Sequence, residues 1–227
     1  MTQTAEATPN IAAALIDTLI ASNRGDRHAF AFGEKRYSYQ DVAALMNRAG
    51  NMMKALGVEP GAAVLLLLPG SPAFVASLLG TIKAGAMPIL GAAANDETLL
   101  QRCITATGPS LVVTHQDHVA NIEGALSLVP RDAVVVVGGD AEGHKSFVAE
   151  LRGQSSWLSA EQVAGDAPAL GVWTGSSLRR ISHAELSALL DSHENATGPA
   201  DPSLPNEVIA ALAMLRAFSR GEVATLP

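Results

Sequence analysis

The sequence predicts an α/β fold in which a parallel sheet is flanked by helices and preceded by a small antiparallel ribbon. Three observations carry this. Apolar runs at 64–68, 87–90, 111–114 and 133–137 are continuous rather than alternating, as in strands buried on both faces. The stretches between them have helical spacing, opening on Ser, Asp or Asn and closing on Gly. Pro and Gly punctuate the chain regularly from Pro60 onward, giving repeated strand-helix units.

Taken in order, the run from Asn10 carries an apolar stripe at Leu15, Ile16, Leu19 and Ile20, which predicts a first amphipathic helix. Segments 28–32 and 35–39 flank Gly33 and Glu34, the pattern of a two-residue hairpin turn with a glycine available for positive φ. Ser38 followed by Asp41 predicts a capping box, and Val42, Leu45, Met46, Ala49, Met53 and Leu56 continue that helix until Gly57. Residues 61–82 include no charge over 22 positions, long enough on paper to span a bilayer. Pro69, Gly70, Ser71 and Pro72 interrupt the run, so it reads as a strand at 63–68, a turn, and a helix with Ser71 as N-cap and Pro72 at its first position. Helices are expected from Asn95 to about Gly108, over 117–128, over 147–151 and over 160–164. A further strand is expected at 170–173, a helix capped by Ser182 and Glu185 reaches Leu190, and a last helix covers 206–220.

Composition removes several functional classes. Fifteen Lys and Arg against 22 Asp and Glu give a net charge of −7, and no basic cluster interleaves with aromatics, so nucleic acid is not the expected partner. The single cysteine, Cys103, forms neither an internal disulfide nor a cysteine-based metal site. The N-terminal residues lack the cationic start and apolar run of a secretory signal, which makes the cytoplasm the default expectation, with no membrane span. The organisation reads as a disordered tail at 1–9, a main domain at 10–192, a linker at 193–205 containing Pro199, Pro202 and Pro205, and an apolar C-terminal helix within 206–227.

Two glycine-bearing loops follow expected strands, where α/β folds bind anions on backbone N–H groups. The first, GGDAEGHKS at 138–146, nearly spells a nucleotide P-loop, but His144 separates Gly143 from Lys145, and Asp140 and Glu142 would repel a bound anion. An ordinary surface loop is the better reading. The second, Thr174, Gly175, Ser176, Ser177, Leu178, Arg179 and Arg180, offers hydroxyls, a glycine and two guanidiniums, suited to a phosphate or carboxylate or to a plain solvated connection. His115 and His118 share one helix end without an identifiable third metal ligand, and His183 reads as a solvated residue just inside a helix. No nucleophile elbow or catalytic triad is assembled by spacing, so no catalytic residue or metal ligand is assigned.

Several segments together carry a resemblance: YSYQDV at 37–42, NRA at 47–49, LGVEPG at 56–61, LGTIKAGAMP at 79–88, LVVT at 111–114 and DAPALGVWT at 166–174. Over about 11–186 the chain resembles the N-terminal part of the AMP-forming acyl-CoA and aryl-CoA ligases of the adenylate-forming superfamily, nearest the benzoate-CoA ligase branch. The resemblance implies that the second loop stands where those enzymes hold ATP phosphates, on a Ser/Thr/Gly-rich loop followed by Pro-Lys-Gly. Gly175, Ser176 and Ser177 match it, Leu178 stands in place of a glycine, the proline and last glycine are absent, and Arg180 replaces the lysine at best. It also implies that the adenine pocket, the magnesium and ribose carboxylates, most of the acyl pocket and the mobile lid with its lysine lie in a portion this sequence does not contain.

Two functional expectations follow. In one, the chain is a degenerate ligase relative that works as a binding or interaction module. In the other, it is one part of a split or longer ligase, with Thr174, Gly175, Ser176, Ser177, Arg179 and Arg180 receiving ATP or AMP. The final helix is apolar around most of its circumference, which predicts a homodimer or partner contact through Val208, Leu212, Leu215 and Phe218.

Overall fold

A computed structural model describes residues 9–92, 94–139, 143–192 and 204–227. The expected tail lies outside the described residues except for Pro9, as do most of the expected linker and the centre of the 138–146 loop. Helix α1 (Ile11–Ala21) begins at Asn10, whose side chain accepts from the Ala12 N–H. Strands β1 (His28–Phe32) and β2 (Lys35–Ser38) form the separate antiparallel ribbon. Helix α2 (Tyr39–Ala55) starts with the expected capping box of Ser38 and Asp41. The uncharged run resolves as β3 (Ala63–Leu67) and α3 (Pro72–Lys83), with the Ser71 hydroxyl accepting from the Phe74 N–H.

The chain continues through β4 (Met87–Leu90), α4 (Glu97–Thr107) and β5 (Leu111–His115). Two short helices follow, α5 (Gln116–Val119) and α6 (Glu123–Leu126), in place of the single helix expected over 117–128. A turn at Ala120 and Asn121 drops Ile122 into the core, and the Glu97 carboxylate caps the restart by accepting from the Ala125 N–H. Then come β6 (Val134–Val137), β7 (Lys145–Ser146), α7 (Phe147–Leu151), β8 (Pro168–Trp173), β9 (Leu178–Ser182), α8 (His183–Asp191) and α9 (Asn206–Arg220).

Residues 160–164 are not helical. The extended segment around them is tied to α2 and α3: Asn51 donates to the carbonyls of Ser155 and Trp157, Asn47 to that of Ser156, and Glu161 N–H donates to the Lys83 carbonyl. Tertiary partners have replaced the local helix ladder.

Among the described residues, seven strands make the main sheet in the order β7-β6-β5-β3-β4-β8-β9, parallel throughout except for β9, which runs antiparallel to β8. Alternate strand residues feed two cores. Val64, Leu66, Val113 and Val172 face α1, α2, α3, α8 and α9, whereas Leu65, Leu67, Val112 and Trp173 face α4 and α6. Covering on both faces explains the unbroken apolar runs.

The expected interaction stripe of α9 is turned inward. Val208, Leu215 and Phe218 have no exposed surface, and Leu212 is half-buried against the same core. α9 packs on α1 and α8, and Phe218 meets the Tyr39 ring edge-on. The chain itself therefore covers the side chains that the sequence suggested for a second molecule. No helix among the described residues is long and apolar enough to cross a membrane.

The tightest helix contact joins α2 and α3 through paired glycines. A Cβ on Gly80 would stand 2.7 Å from Gly50 N and 2.8 Å from the Met46 carbonyl oxygen, both backbone atoms that cannot rotate away. Replacing a helical glycine by alanine ordinarily gains about 0.5–1 kcal/mol, while forcing a packed interface apart costs about 1–3 kcal/mol. Gly80→Ala is accordingly expected to destabilise the fold by about 1–2 kcal/mol net, read as a lower urea midpoint. Unchanged or increased stability would show that the two helices do not approach so closely.

Candidate functional site

In a sheet of this kind, ligand crevices open beyond the carboxyl ends of the parallel strands. The order β5-β3-β4 makes β3 the point where the chain reverses its direction of winding. A cavity of about 500 Å³ lies there, lined by Leu66 to Gly70 at and beyond the end of β3, by Leu90 and Gly91 at the end of β4, and by His118, Pro205, Glu207 and Pro227. Backbone packs tightly around it: a Cβ on Gly91 would meet the Trp173 carbonyl at 2.5 Å, so only glycine fits that corner.

The second glycine loop lies farther along the same rim. It is a hairpin rather than a strand-to-helix connection, because residues 178–182 pair with β8 as β9, with Trp173 opposite Leu178 and Val172 opposite Arg179. Only Thr174, Gly175, Ser176 and Ser177 remain in the turn. Gly175 takes a φ of +88°, which an L side chain rarely adopts, so this glycine is required by the turn itself. The turn closes on itself: Thr174 N–H and Oγ1 both reach the Ser177 carbonyl, and the Thr174 and Ser177 hydroxyls share a hydrogen bond of 3.0 Å. Ser176 is exposed and makes no hydrogen bond among the described residues.

Arg179 and Arg180 are strand residues, and neighbours on a strand face opposite sides. Arg179 shares the α8 face with Ile181 and acts on Glu185, yet Arg180 also lines, together with Arg179, a cavity of about 390 Å³ against Glu185, Ala188 and Leu189 of α8. Both arginines thus border a cavity on the α8 side and neither lines the one beside Gly175 and Ser176. Sequence reading treated 174–180 as one loop because Arg179 and Arg180 interrupt what is otherwise a short apolar strand.

A cavity of about 580 Å³ adjoins the turn on the α4 face, lined by Thr98, Gln101, Arg102, Thr105, Ala106, Trp173, Gly175 and Ser176. Its α4 wall went unread in the sequence. The available signal was the spacing of Thr98, Arg102 and Thr105, which places three polar side chains on one helix face.

The remaining candidates serve structure. Lys145, from the near P-loop, lies in β7 opposite Val135 and stands 3.8 Å from Glu150. His115 Nδ1 faces its neighbour Asp117 at 3.2 Å. Burial pushes the Cys103 thiol up to about 11, which keeps it protonated and removes it as a nucleophile. His183 is buried rather than solvated. Its Nδ1 accepts from the Ile11 N–H at 3.1 Å, satisfying a donor at the start of α1.

The model of the family described as AMP-binding enzyme matches residues 19–177, well over half of the sequence. The chain belongs to the AMP-binding enzyme family. Among curated members of that family, it is 30% identical over 191 residues to a 3-hydroxybenzoate--CoA/4-hydroxybenzoate--CoA ligase of Thauera aromatica, covering 80% of this chain and 36% of that enzyme. It is 31% identical over 160 residues to 4-coumarate--CoA ligase 5 of Oryza sativa subsp. japonica, covering 69% of this chain and 29% of that enzyme. The chain thus spans about a third of the length of these relatives. A long-chain-fatty-acid-CoA ligase from Archaeoglobus fulgidus shares the fold, with a TM-score of 0.79 at 17% identity, over 96% of this chain and 46% of that one. Coverage that wide takes in part of α9, which lies beyond the 11–186 span of the resemblance.

The His183 contact has a pH consequence. Burial lowers the pKa of its ring below the ordinary 6.5, so the unfolded chain takes up a proton that the folded chain refuses. Stability contributed by this group is present above pH 6.5 and is lost as pH falls through that value. The Ser38 and Ser182 backbone N–H groups hold the Asp41 and Glu185 carboxyls below their usual range, so those losses come at lower pH. Thermal melting from about pH 7.5 to 5.5 is expected to decline in the native chain and to be flatter in His183→Asn; parallel curves would remove His183 as the source.

Proposed function

We propose that this chain is an acyl/aryl-CoA ligase-family unit that receives a ligand at the rim of its sheet and does not by itself carry out adenylation. The observation that carries this reading is the closed four-residue turn. Thr174 and Ser177 satisfy one another, and Leu178 is already paired in the β8-β9 ladder where a phosphate-binding loop would need free backbone donors close to the anion. Arg179 and Arg180 line a cavity beside α8 rather than the one that adjoins the turn. Adenylation depends chiefly on positioning and on preorganised charge around the phosphates, and ATP or AMP would find few such groups at this turn.

The relatives' names bear on ligand class. Benzoate-type and coumarate-type acids are substrates of proteins three times as long, so an aryl or acyl acid is the expected relation of this chain to them. A second reading keeps the full ligase reaction, with the other two thirds of the relatives' length supplied by further polypeptide; the 36% coverage supports it.

Purified chain incubated with ATP, CoA and a panel of aryl and fatty acids is expected to release neither AMP nor pyrophosphate above an enzyme-free blank. Robust AMP formation by the chain alone would overturn the proposal. Activity that appears only after co-expression with another polypeptide would favour the second reading.

A further inference from the structure

Among the described residues the main sheet ends at β9, and the pairing with β8 fixes which way the β9 backbone points. Thr174 N–H donates to the Ser177 carbonyl, which makes these two a hydrogen-bonded pair, and in an antiparallel ladder such pairs alternate with non-bonded ones. The next bonded pair is therefore Val172 with Arg179. Leu178 and Arg180 turn their N–H and C=O groups away from β8, where no strand among the described residues receives them. The edge at the other side of the sheet, β7, is only two residues long. Along β9 lies the cavity of about 390 Å³, lined by Arg179, Arg180 and Ile181 and by Ala188 and Leu189 of α8. Adjacent strand residues belong to opposite faces, so a cavity bordered by both arginines runs along the open edge. Its apolar wall is accessible, since Leu189 is 40% exposed. Its charge runs against that of the molecule, which is −7 overall: Arg180 is exposed and makes no hydrogen bond or ion pair among the described residues, while the Glu185 carboxylate is already engaged by the Ser182 N–H. Arg216 of α9 brings a third guanidinium to the end of α8, where it donates to the Leu189 carbonyl and the Ser192 hydroxyl.

We propose that β9 is a docking edge for an extended segment of another protein in which acidic and apolar residues alternate, the segment joining the sheet antiparallel to β9. Main-chain pairing is at Leu178 and Arg180, the two residues whose polar groups face outward. The residue set opposite Arg180 shares its face of the sheet, which places a carboxylate beside the guanidinium. Its neighbours turn to the other face and meet Ala188 and Leu189. Alternation is what these two walls require. A second copy of this chain fits less well, because two β9 strands paired about a twofold axis set arginine against arginine, and like charges directly opposite are destabilising. Charged side chains on an edge oppose such self-pairing, and here the same charges leave the edge open to carboxylates. Strand addition needs neither nucleotide nor small-molecule acid, so it is independent of the ligase reading.

The probe is a short, end-blocked peptide of alternating valine and glutamate, added to the full chain at low salt. Anisotropy of a labelled copy is expected to show saturable binding. At saturation, amide exchange followed by NMR is expected to slow by about tenfold or more at Leu178 and Arg180, with little change at Arg179, which is already bonded to β8. A valine-lysine peptide is expected to bind about fivefold more weakly, and Arg180→Glu to weaken the valine-glutamate peptide by about fivefold at an unchanged melting temperature, the range for one exposed charge pair. Two further peptides test the pairing on the native chain and need no variant to fold. N-methylation of the glutamate nitrogens, which face β9 when glutamate stands opposite Arg180, is expected to abolish binding, whereas N-methylation of the valine nitrogens, which face away, is expected to preserve it. Absence of saturable binding, unaltered exchange at Leu178 and Arg180 with peptide bound, or retained binding of the glutamate-methylated peptide overturns strand addition. Equal binding of the valine-lysine peptide overturns the acidic preference. A dimer by light scattering, with exchange at Leu178 and Arg180 already slow in the peptide-free chain, makes a second copy the occupant and overturns the proposed partner. AMP formation in the ligase assay bears on the proposed function alone and leaves each of these comparisons intact.

Discussion

One buried ammonium group organises the helical face of this molecule. Lys83, 2% exposed at the end of α3, places Nζ 2.7 Å from the Asp17 carboxylate of α1 and 2.7 Å from the Asn47 amide oxygen of α2. Removing the partners of a buried charge costs about 3–5 kcal/mol, so three helices share a strong requirement to meet at one point. Asn47 passes the constraint on by donating to the Ser156 carbonyl, and Asn10 donates to the Ile82 carbonyl one residue before the lysine. The glycine pair at 50 and 80 lets α2 and α3 come close enough for this geometry. Since α3 is the crossover between β3 and β4, fixing it fixes the two central strands whose carboxyl ends open onto the ligand rim.

Where local chemistry and tertiary packing agree, the sequence could be read directly. The Ser38 and Ser182 capping boxes, the Ser71 and Pro72 start of α3 and the left-handed glycine after α4 are all specified within a few residues, and each stands in the structure. The resemblance to AMP-forming ligases was likewise legible, because the motifs around Asn47 and Lys83 that carry it supply the interhelical tie and the tight α2-α3 contact. What escaped the sequence depends on distant partners. Residues 160–164 have helical composition but are held extended by α2 and α3, and His183 looks solvated until α1 closes over it.

The rim itself was only half legible. A Ser- and Gly-bearing turn after an apolar strand could be seen, yet its closure on itself and the removal of Arg179 and Arg180 from the turn into β9 depend on β9 pairing in register with β8. The same register brings Trp173 and the turn up to a polar face of α4, a neighbour some 70 residues earlier in the chain. A motif reading cannot supply that wall, because nothing local to residues 174–180 refers to α4.

The C-terminal segment closes the fold onto its N-terminal ribbon: Ala224 N–H donates to the Ala29 carbonyl, Tyr39 donates its hydroxyl to the Glu222 carbonyl, and Phe218 meets the Tyr39 ring. These residues are nearly two hundred positions apart, so the contacts close a very large loop and form late. During synthesis the ribbon and α2 leave the ribosome well before α9 exists. Phe30 and Tyr39, which have no exposed surface in the finished fold, therefore spend that interval partly uncovered. The N-terminal ribbon and α2 are thus the portion most exposed to wrong contacts while the chain emerges, and the arrival of α9 and residues 222–224 ends that exposure.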